Sequence, residues 1–487
     1  MSKENRSREG LPPFWLALIP VIGLVGLLVV SIRLYGADSA YGPNQVALTG
    51  GAVIAAVVAL LRGHSWDEIE AAILHSIGLT MKAILILIAV GALIGTWILG
   101  GIVPTLIHFG LSVLDPSFFY VATCAICAIV SLSIGSSWTT AGTVGVAFIG
   151  IAQGFDLSPA ITAGAVISGA YFGDKMSPLS DTTNLAAAVA GADLFAHIRN
   201  MIWTTGPSLI IAFVLYAILG YGSAAADLSA VEGIQAVMAE NFTIHWAMVL
   251  PLFIVLGLAA MRMPALPTVI IGALLGAVTA VLFQGEAVAR FAALLGDDRS
   301  AVRAVWTSFF DGFLAETGNA EVDNLLSRGG MSSMLPTVWL IISAMVFGGI
   351  MEHTGMLVSL LHGIILRLKR AGSLILTTVL ACIGTNLVAA EQYMSIAIPA
   401  RMLAPIYERF GLAPTALSRT IEDSGTLTSP LVPWNTCGAF MAATLGVATL
   451  EYLPFAFLNL VNPVIAVLFG YLGVKVARLA PADRPGL

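Results

Sequence analysis

The sequence predicts an all-α, polytopic membrane protein made of two inverted repeats, each holding a re-entrant hairpin and a broken transmembrane helix, as in elevator-type transporters. Three observations predict this. Apolar residues make up 58% of the 487 and charged residues only 10%, where a soluble domain carries roughly 25% charge. With a mean hydropathy of +0.93, most of the exterior must face lipid. Eight runs are apolar enough to span, and two further apolar stretches, 118–196 and 372–452, are interrupted by Gly, Pro and polar residues at membrane depth.

Taken in order, Lys3, Arg6 and Arg8 precede an apolar run with no convincing cleavage site, so the run reads as a first membrane helix. The expected spans run from Phe14 to Leu34, Gln45 to Leu61, Met81 to Gly100, Ile198 to Tyr221, His245 to Met261, Pro264 to Phe283, Thr337 to Met351 and Phe455 to Val474. Segment 65–78 starts with Ser65 followed by acids, and reads as an interfacial amphipathic helix. The hairpin tips are expected near 135–140 and 390–395, and the helix interruptions at 173–184 and 424–436. Four regions follow: 1–79, an N-terminal pair with the interfacial helix; 80–221, the first repeat; 222–335, a connection; and 336–478, the second repeat.

The repeat rests on residue correspondences. Phe410 follows Phe155, and Tyr393 follows Trp138, by 255 residues; Ser429-Pro430-Leu431 follows Ser177-Pro178-Leu179 by 252. Residues 89–101 have a looser echo in 342–350, each with a Gly-Gly pair. Positive charge tests the inversion. Arg62 and Lys82 place the start of the first repeat inside, whereas the link from Ser112 to Pro116 and the 221–243 loop (Asp227, Glu232, Glu240) lack Lys and Arg. In the second repeat Arg367, Lys369, Arg370, Arg409, Lys475 and Arg478 sit at the opposite positions, so the halves run in opposite senses and both termini are cytoplasmic. The 285–335 connection strains this topology: it falls outside yet carries Arg290, Arg299, Arg303 and Arg328.

The chemistry concentrates in G-A-Y-F-G-D-K-M-S-P-L-S-D-T-T-N, Gly169 to Asn184. Gly173 and Pro178 disfavour a continuous helix, so backbone carbonyls lose their donors. Such carbonyls, the hydroxyls of Ser180, Thr182 and Thr183, and the carboxylates of Asp174 and Asp181 are hard oxygen ligands of the kind a small cation takes. Asp174, Asp181 and Thr182 are the candidate ligands for a transported sodium ion. An intramembrane charge costs at least roughly 2.5–3.5 kcal/mol, and Lys175 is a candidate partner for Asp174 or Asp181. The matching run, Thr420 to Thr436, holds Glu422 and Asp423 before its break and Asn435 and Thr436 after it. The tips supply Ser136, Ser137 and Thr139, and Glu391, the most isolated intramembrane acid in the chain. His108, Glu352 and His353 flank expected Gly-Gly helix breaks at 100–101 and 348–349 and read as interfacial. Cys124 and Cys127 lie in an apolar run and read as packing residues.

The first motif, with S-S-W-T-T-A-G-T-V-G before it and E-D-S-G-T-L-T-S-P-L-V-P-W-N-T after it, resembles the NhaC family of sodium–proton antiporters. Segment order matches from about residue 10 to 475. The resemblance implies a homodimer in a bacterial or archaeal cytoplasmic membrane that exchanges sodium for protons, with lipid as its surround and no cofactor. It points to Asp174, Ser177, Asp181, Thr182, Thr183 and Asn184 in the first motif, and to Glu422, Asp423, Asn435 and Thr436 in the second. The family is also similar to carriers of malate, lactate and amino acids, so a sodium- or proton-coupled carrier of a small organic anion or amino acid is the alternative.

Other classes fit poorly. A net charge of −6 offers no basic footprint for nucleic acid. No run matches the nucleotide-binding G-x-x-x-x-G-K-[ST]. Intramembrane aspartyl proteolysis would need G-x-G-D, and Tyr171-Phe172-Gly173-Asp174 lacks its first glycine. The expectation is a transporter, not an enzyme.

Overall fold

The computed structural model describes residues 11–36, 39, 42–221, 228–296, 301–365 and 370–479. Arg367, Lys369, Asp227 and Arg299, used above to judge sidedness, lie outside the described residues, as do Lys3, Arg6 and Arg8.

The chain is a bundle of helices, with no strand beyond isolated bridges among the described residues. Among the described residues eight helices are long and apolar enough to cross a membrane, and two bent pairs would raise that number to ten. The protein is a multi-pass membrane protein. The first helices are α1 (Phe14–Tyr35), α2 (Pro43–Leu61) and α3 (Trp66–Leu99). Ser65 caps α3, accepting from Glu68 N–H at 3.3 Å, as its sequence position predicts. The separate interfacial helix over 65–78 does not exist, because α3 runs on unbroken for 34 residues. At about 1.5 Å per residue this is about 50 Å of helix, so its first turns extend beyond a roughly 30 Å hydrocarbon core.

The first half continues through α4 (Ile102–Val113), α5 (Phe119–Ile134), a tip at 135–136, and α6, which comprises Ser137–Thr140, a π-turn Ala141–Gly145 and Val146–Gly154. Then come α7 (Pro159–Met176), a break, α8 (Asp181–Ala190) and α9 (Leu194–Tyr221). The connection holds α10 (Leu228–Asn241), α11 (Leu250–Ala260), α12 (Ala265–Phe283) and three short helices, α13 (Gly285–Leu294), α14 (Ala301–Phe310) and α15 (Ala320–Leu326).

The second half repeats the order of the first. It comprises α16 (Leu335–His353), α17 (Met356–Ile365), α18 (Ala371–Val388), a tip at 389–391, α19 (Gln392–Arg409), α20 (Pro414–Ile421, extended by a π-turn Glu422–Thr426), a break, α21 (Thr436–Leu445), α22 (Thr449–Tyr452) and α23 (Phe457–Leu472). Backbone specials recur with it. Positive φ falls at Gly135 and Ala390, Asp156 and Gly411, and Gly191 and Gly446, each pair 255 residues apart. The caps of α8 and α21, Ser180 and Asn435, keep the same spacing. The 252-residue match of the two Ser-Pro-Leu runs is therefore local, and the register returns to 255 across the break.

Two glycine readings change. Gly173 does not interrupt α7, which runs on to Met176. A Cβ there would lie 2.3 Å from Leu132 N, and one at Gly169 would lie 2.2 Å from the Cys124 carbonyl oxygen. These glycines let α7 press against α5, the close packing that small residues allow between membrane helices. Cys124 and Cys127 are buried, free thiols in that contact. Likewise α16 passes straight through Gly348-Gly349, which touch Ala389 and Ser76. Its bend comes at Gly355, φ +73°, the counterpart of Gly101 at φ +72°.

Helices α2, α12 and α16 gather around α3, with α1 packed on α2, while α5, α7, α9, α18, α19, α20 and α23 form a second body. The two meet at α21, which packs on both α3 and α16. The 285–335 connection lies at one end with the α4 and α10 termini. Arg290 donates to the Asn241 carbonyl, and Gln235 donates to the His108 carbonyl and to Ser112 Oγ at 2.9 and 2.8 Å.

Candidate functional site

The site lies where the two tips meet the two breaks. Pro178 cannot donate a backbone hydrogen bond, so α7 ends at Met176 and α8 restarts behind the Ser180 cap. The polar residues of the motif bind up the chain ends that this exposes. Thr183 Oγ1 donates to the Lys175 carbonyl (2.9 Å), and Asn184 Nδ2 donates to the carbonyls of Pro178 and Ser180 (2.9 and 2.7 Å). Ser177 Oγ accepts from Leu179 N–H at 3.3 Å. Ser177, Thr183 and Asn184 therefore hold the break together. The tip of the first hairpin packs directly on it: a Cβ at Gly135 would lie 2.9 Å from Ser180 N.

Asp174, on the last turn of α7, is buried and faces the start of α6. Its Oδ2 accepts from Ser137 N–H at 3.1 Å and from Ser137 Oγ at 2.6 Å. Ser136 caps α6 and takes Thr139 Oγ1 at 3.0 Å. The carboxylate thus sits at a helix N-terminus, where the partial positive charge of free N–H groups favours an anion.

In the second half, Glu391 caps α19 through Met394 N–H at 3.0 Å, and Asn435 caps α21 through Cys437 N–H at 3.0 Å. Asn435 also donates to Asn386 Oδ1 at 3.1 Å, and Thr436 N–H donates to the Ala390 carbonyl at 3.0 Å. These contacts join tip to break, as in the first half.

The π-turn of α20 then sets Glu422 and Asp423 facing different neighbours. Glu422 Oε1 accepts from Thr182 Oγ1 at 3.1 Å, and its Oε2 has no hydrogen-bond partner among the described residues. Asp423 Oδ1 is ion-paired with Lys175 Nζ and accepts from Thr204 Oγ1 at 3.0 Å. Arg419 Nε stands 4.0 Å from its other oxygen. Lys175, Arg419, Glu422 and Asp423 are all fully buried.

Two sequence readings are corrected. Asp181 does not enter the buried site: its side chain is 67% exposed and pairs with the equally exposed Lys82 at 3.2 Å. As the first residue of α8 it faces out from the break, while Thr182 beside it faces in. Lys175 pairs with neither Asp174 nor Asp181 but with Asp423, across the two halves. Sequence reasoning missed Arg419, Thr204 and Asn386. Only Arg419 carried a signal, since it lies four residues before Asp423 and so shares its helix face. No group of three or more His, Cys, Asp or Glu side chains is placed to hold a resident metal among the described residues.

Comparison with known proteins decides the lineage. The pattern of the Na+/H+ antiporter family matches residues 169–474. The Na(+)/H(+) antiporter NhaC of Alkalihalophilus pseudofirmus is 41% identical over 427 residues, 88% of this chain and 89% of that one. The chain belongs to the Na+/H+ antiporter family. Other relatives bear other names. The Malate-2H(+)/Na(+)-lactate antiporter of Bacillus subtilis is 39% identical, covering 95% of each chain. The Arginine/ornithine antiporter ArcD of Halobacterium salinarum is 36% identical over 99% of this chain and 97% of its own. These are transporters, not enzymes. The matched region of this Na+/H+ antiporter family member begins within α7, beyond the first tip and α6, and spans both breaks and the second tip.

Proposed function

We propose that this antiporter exchanges sodium for protons across a bacterial or archaeal cytoplasmic membrane, with the two ions competing for Asp174 and Glu422. One observation carries the reading. Six charged side chains are buried among the described residues: the acids Asp174, Glu391, Glu422 and Asp423, and the bases Lys175 and Arg419. Both bases stand against Asp423, and Glu391 is engaged in capping α19. Among the described residues Asp174 and Glu422 hydrogen-bond only to hydroxyls and an N–H group, and neither has a basic side chain at ion-pair distance. A buried carboxylate without a cation is costly, and either an alkali ion or a proton relieves it.

The distribution of Lys and Arg along the sequence supports two halves of opposite sense, with the 285–335 end outside and the termini inside. A homodimer, as the family resemblance implies, belongs to the same reading. The test is sodium-driven proton flux in proteoliposomes. Asp174→Asn and Glu422→Gln are expected to abolish it at normal protein level, and Asp181→Asn to leave it. Full activity in both of the first two would reject the site. Because protons displace sodium, the sodium concentration for half-maximal flux should rise as pH falls.

A second reading has support in the names of the relatives: the exchanged solute is an organic acid or amino acid coupled to sodium or protons. Radiolabelled malate, lactate, arginine and ornithine uptake into the same vesicles separates the two. Sodium–proton flux at full rate without any of them rejects the second.

A further inference from the structure

Adjacent residues on α20 are treated in opposite ways. Glu422 meets a hydroxyl, whereas Asp423 is met by a lysine from the other half of the molecule. Lys175 reaches it from the last turn of α7, one residue after Asp174, and lies with no solvent exposure. Thr204 of α9 supplies a hydroxyl to the same carboxylate oxygen at 3.0 Å. The ammonium group is a compact monovalent cation in a setting of carboxylate and hydroxyl oxygen, the donor set that hard cations take. What differs from Glu422 is that this cation is covalently attached.

We infer that Lys175 is a tethered replacement for a second transported cation: it fills a latent alkali-ion site at Asp423 and Thr204, and so limits the protein to the sites at Asp174 and Glu422. The inference rests on the sodium–proton reading above. It makes Lys175 a residue that fixes how many ions move per cycle, and it also ties α7 to α20 so that the two broken helices travel together. Arg419 stands back at 4.0 Å from the far oxygen and holds the Asn200 side chain and the Lys475 carbonyl at 3.3 and 2.8 Å. It therefore does not occupy the place of the ammonium.

The test is equilibrium binding of radioactive sodium to purified, full-length protein, with thermal unfolding as the check on folding. Lys175→Ala removes the tethered charge and opens space beside Asp423. It is expected to bind one more sodium ion per chain than the wild type and to gain thermal stability steeply with added sodium. An unchanged sodium count in folded Lys175→Ala would overturn the inference. Should that variant not fold, the paired change Lys175→Met with Asp423→Asn removes both charges and decides instead. It is expected to keep the wild-type sodium count, and a lower count would make Asp423 part of the exchanged site and reject the tether. A wild type that binds no sodium would reject the sodium–proton reading itself, a separate outcome.

Discussion

The two breaks share a backbone plan but handle charge differently. In the first, Asp174 is held by neutral donors at the start of α6. In the second, Asp423 is ion-paired with Lys175, with Arg419 at 4.0 Å, while Glu422 beside it has no basic side chain at ion-pair distance among the described residues. The comparison teaches that burial of acids in this core does not mark them all as exchangeable. The protein supplies its own positive charge to one, and on the proposed reading Asp174 and Glu422 are left to the ions that cross the membrane. Repetition of the fold gives the frame, and the departures from repetition assign the roles.

The largest expected effect tests the permanent pair. Asp423→Asn alone leaves Lys175 buried without its partner, and removing one member of a buried pair costs about 3–5 kcal/mol. Thermal unfolding in detergent should show that loss, and adding Lys175→Met should restore most of it. A neutral result for the single variant would mean that the pair is not sealed from water.

Next comes the packing that sets the position of Asp174. Gly173→Val places atoms where a Cβ already meets Leu132 N at 2.3 Å, and overpacking of this sort costs about 1–3 kcal/mol. Transport should fall together with the yield of folded protein. If α5 and α7 tolerate valine, their contact is not what fixes the first break.

A finer test concerns the neutral donors. Ser137→Ala removes the 2.6 Å hydroxyl contact to Asp174 but keeps the backbone N–H. A hydrogen bond to a charged group is worth about 1.5–3 kcal/mol, so the sodium half-saturation should change at least several-fold while folding is retained. The matching change at the second tip, Glu391→Gln, keeps an oxygen to cap α19 and should leave folding within about 1 kcal/mol of wild type. Melting curves of both variants would show whether the tips differ in this way.

The smallest effect is expected at Asp181. Its pairing with Lys82 is exposed, and exposed ion pairs contribute about 0–1 kcal/mol. Asp181→Asn should transport within about twofold of wild type. A severe transport defect would return Asp181 to the site and undo the division between inward and outward faces of the first break.

Much of this was legible because it is local. Apolar length marks spans, a proline after a polar turn marks a break, and Ser65, Ser136, Ser180 and Asn435 are residue types that cap helices. The spacing of 255 residues emerges from two aromatic pairs alone, Phe155 with Phe410 and Trp138 with Tyr393, and the backbone keeps it. Misreadings arose where one residue type serves two ends. Gly173 and the Gly348-Gly349 pair looked like helix breakers and instead allow helices to touch. Ser65 announced a helix start correctly, but nothing near residue 80 announced a stop, since the interfacial turns simply continue into the span.

The sequence alone determined that the chain lives in a membrane, that it breaks two helices at corresponding places, and that acids cluster there. Those outcomes follow from hydropathy and backbone chemistry, which act over a few neighbouring residues. Which acid meets which cation was decided only by tertiary structure. Lys175 and Asp423 are 248 residues apart, and Asp181 and Thr182 are adjacent yet point to different surroundings. Side-chain direction at a helix start, and contact across two halves, depend on how the helices dock, and no local rule contains that information.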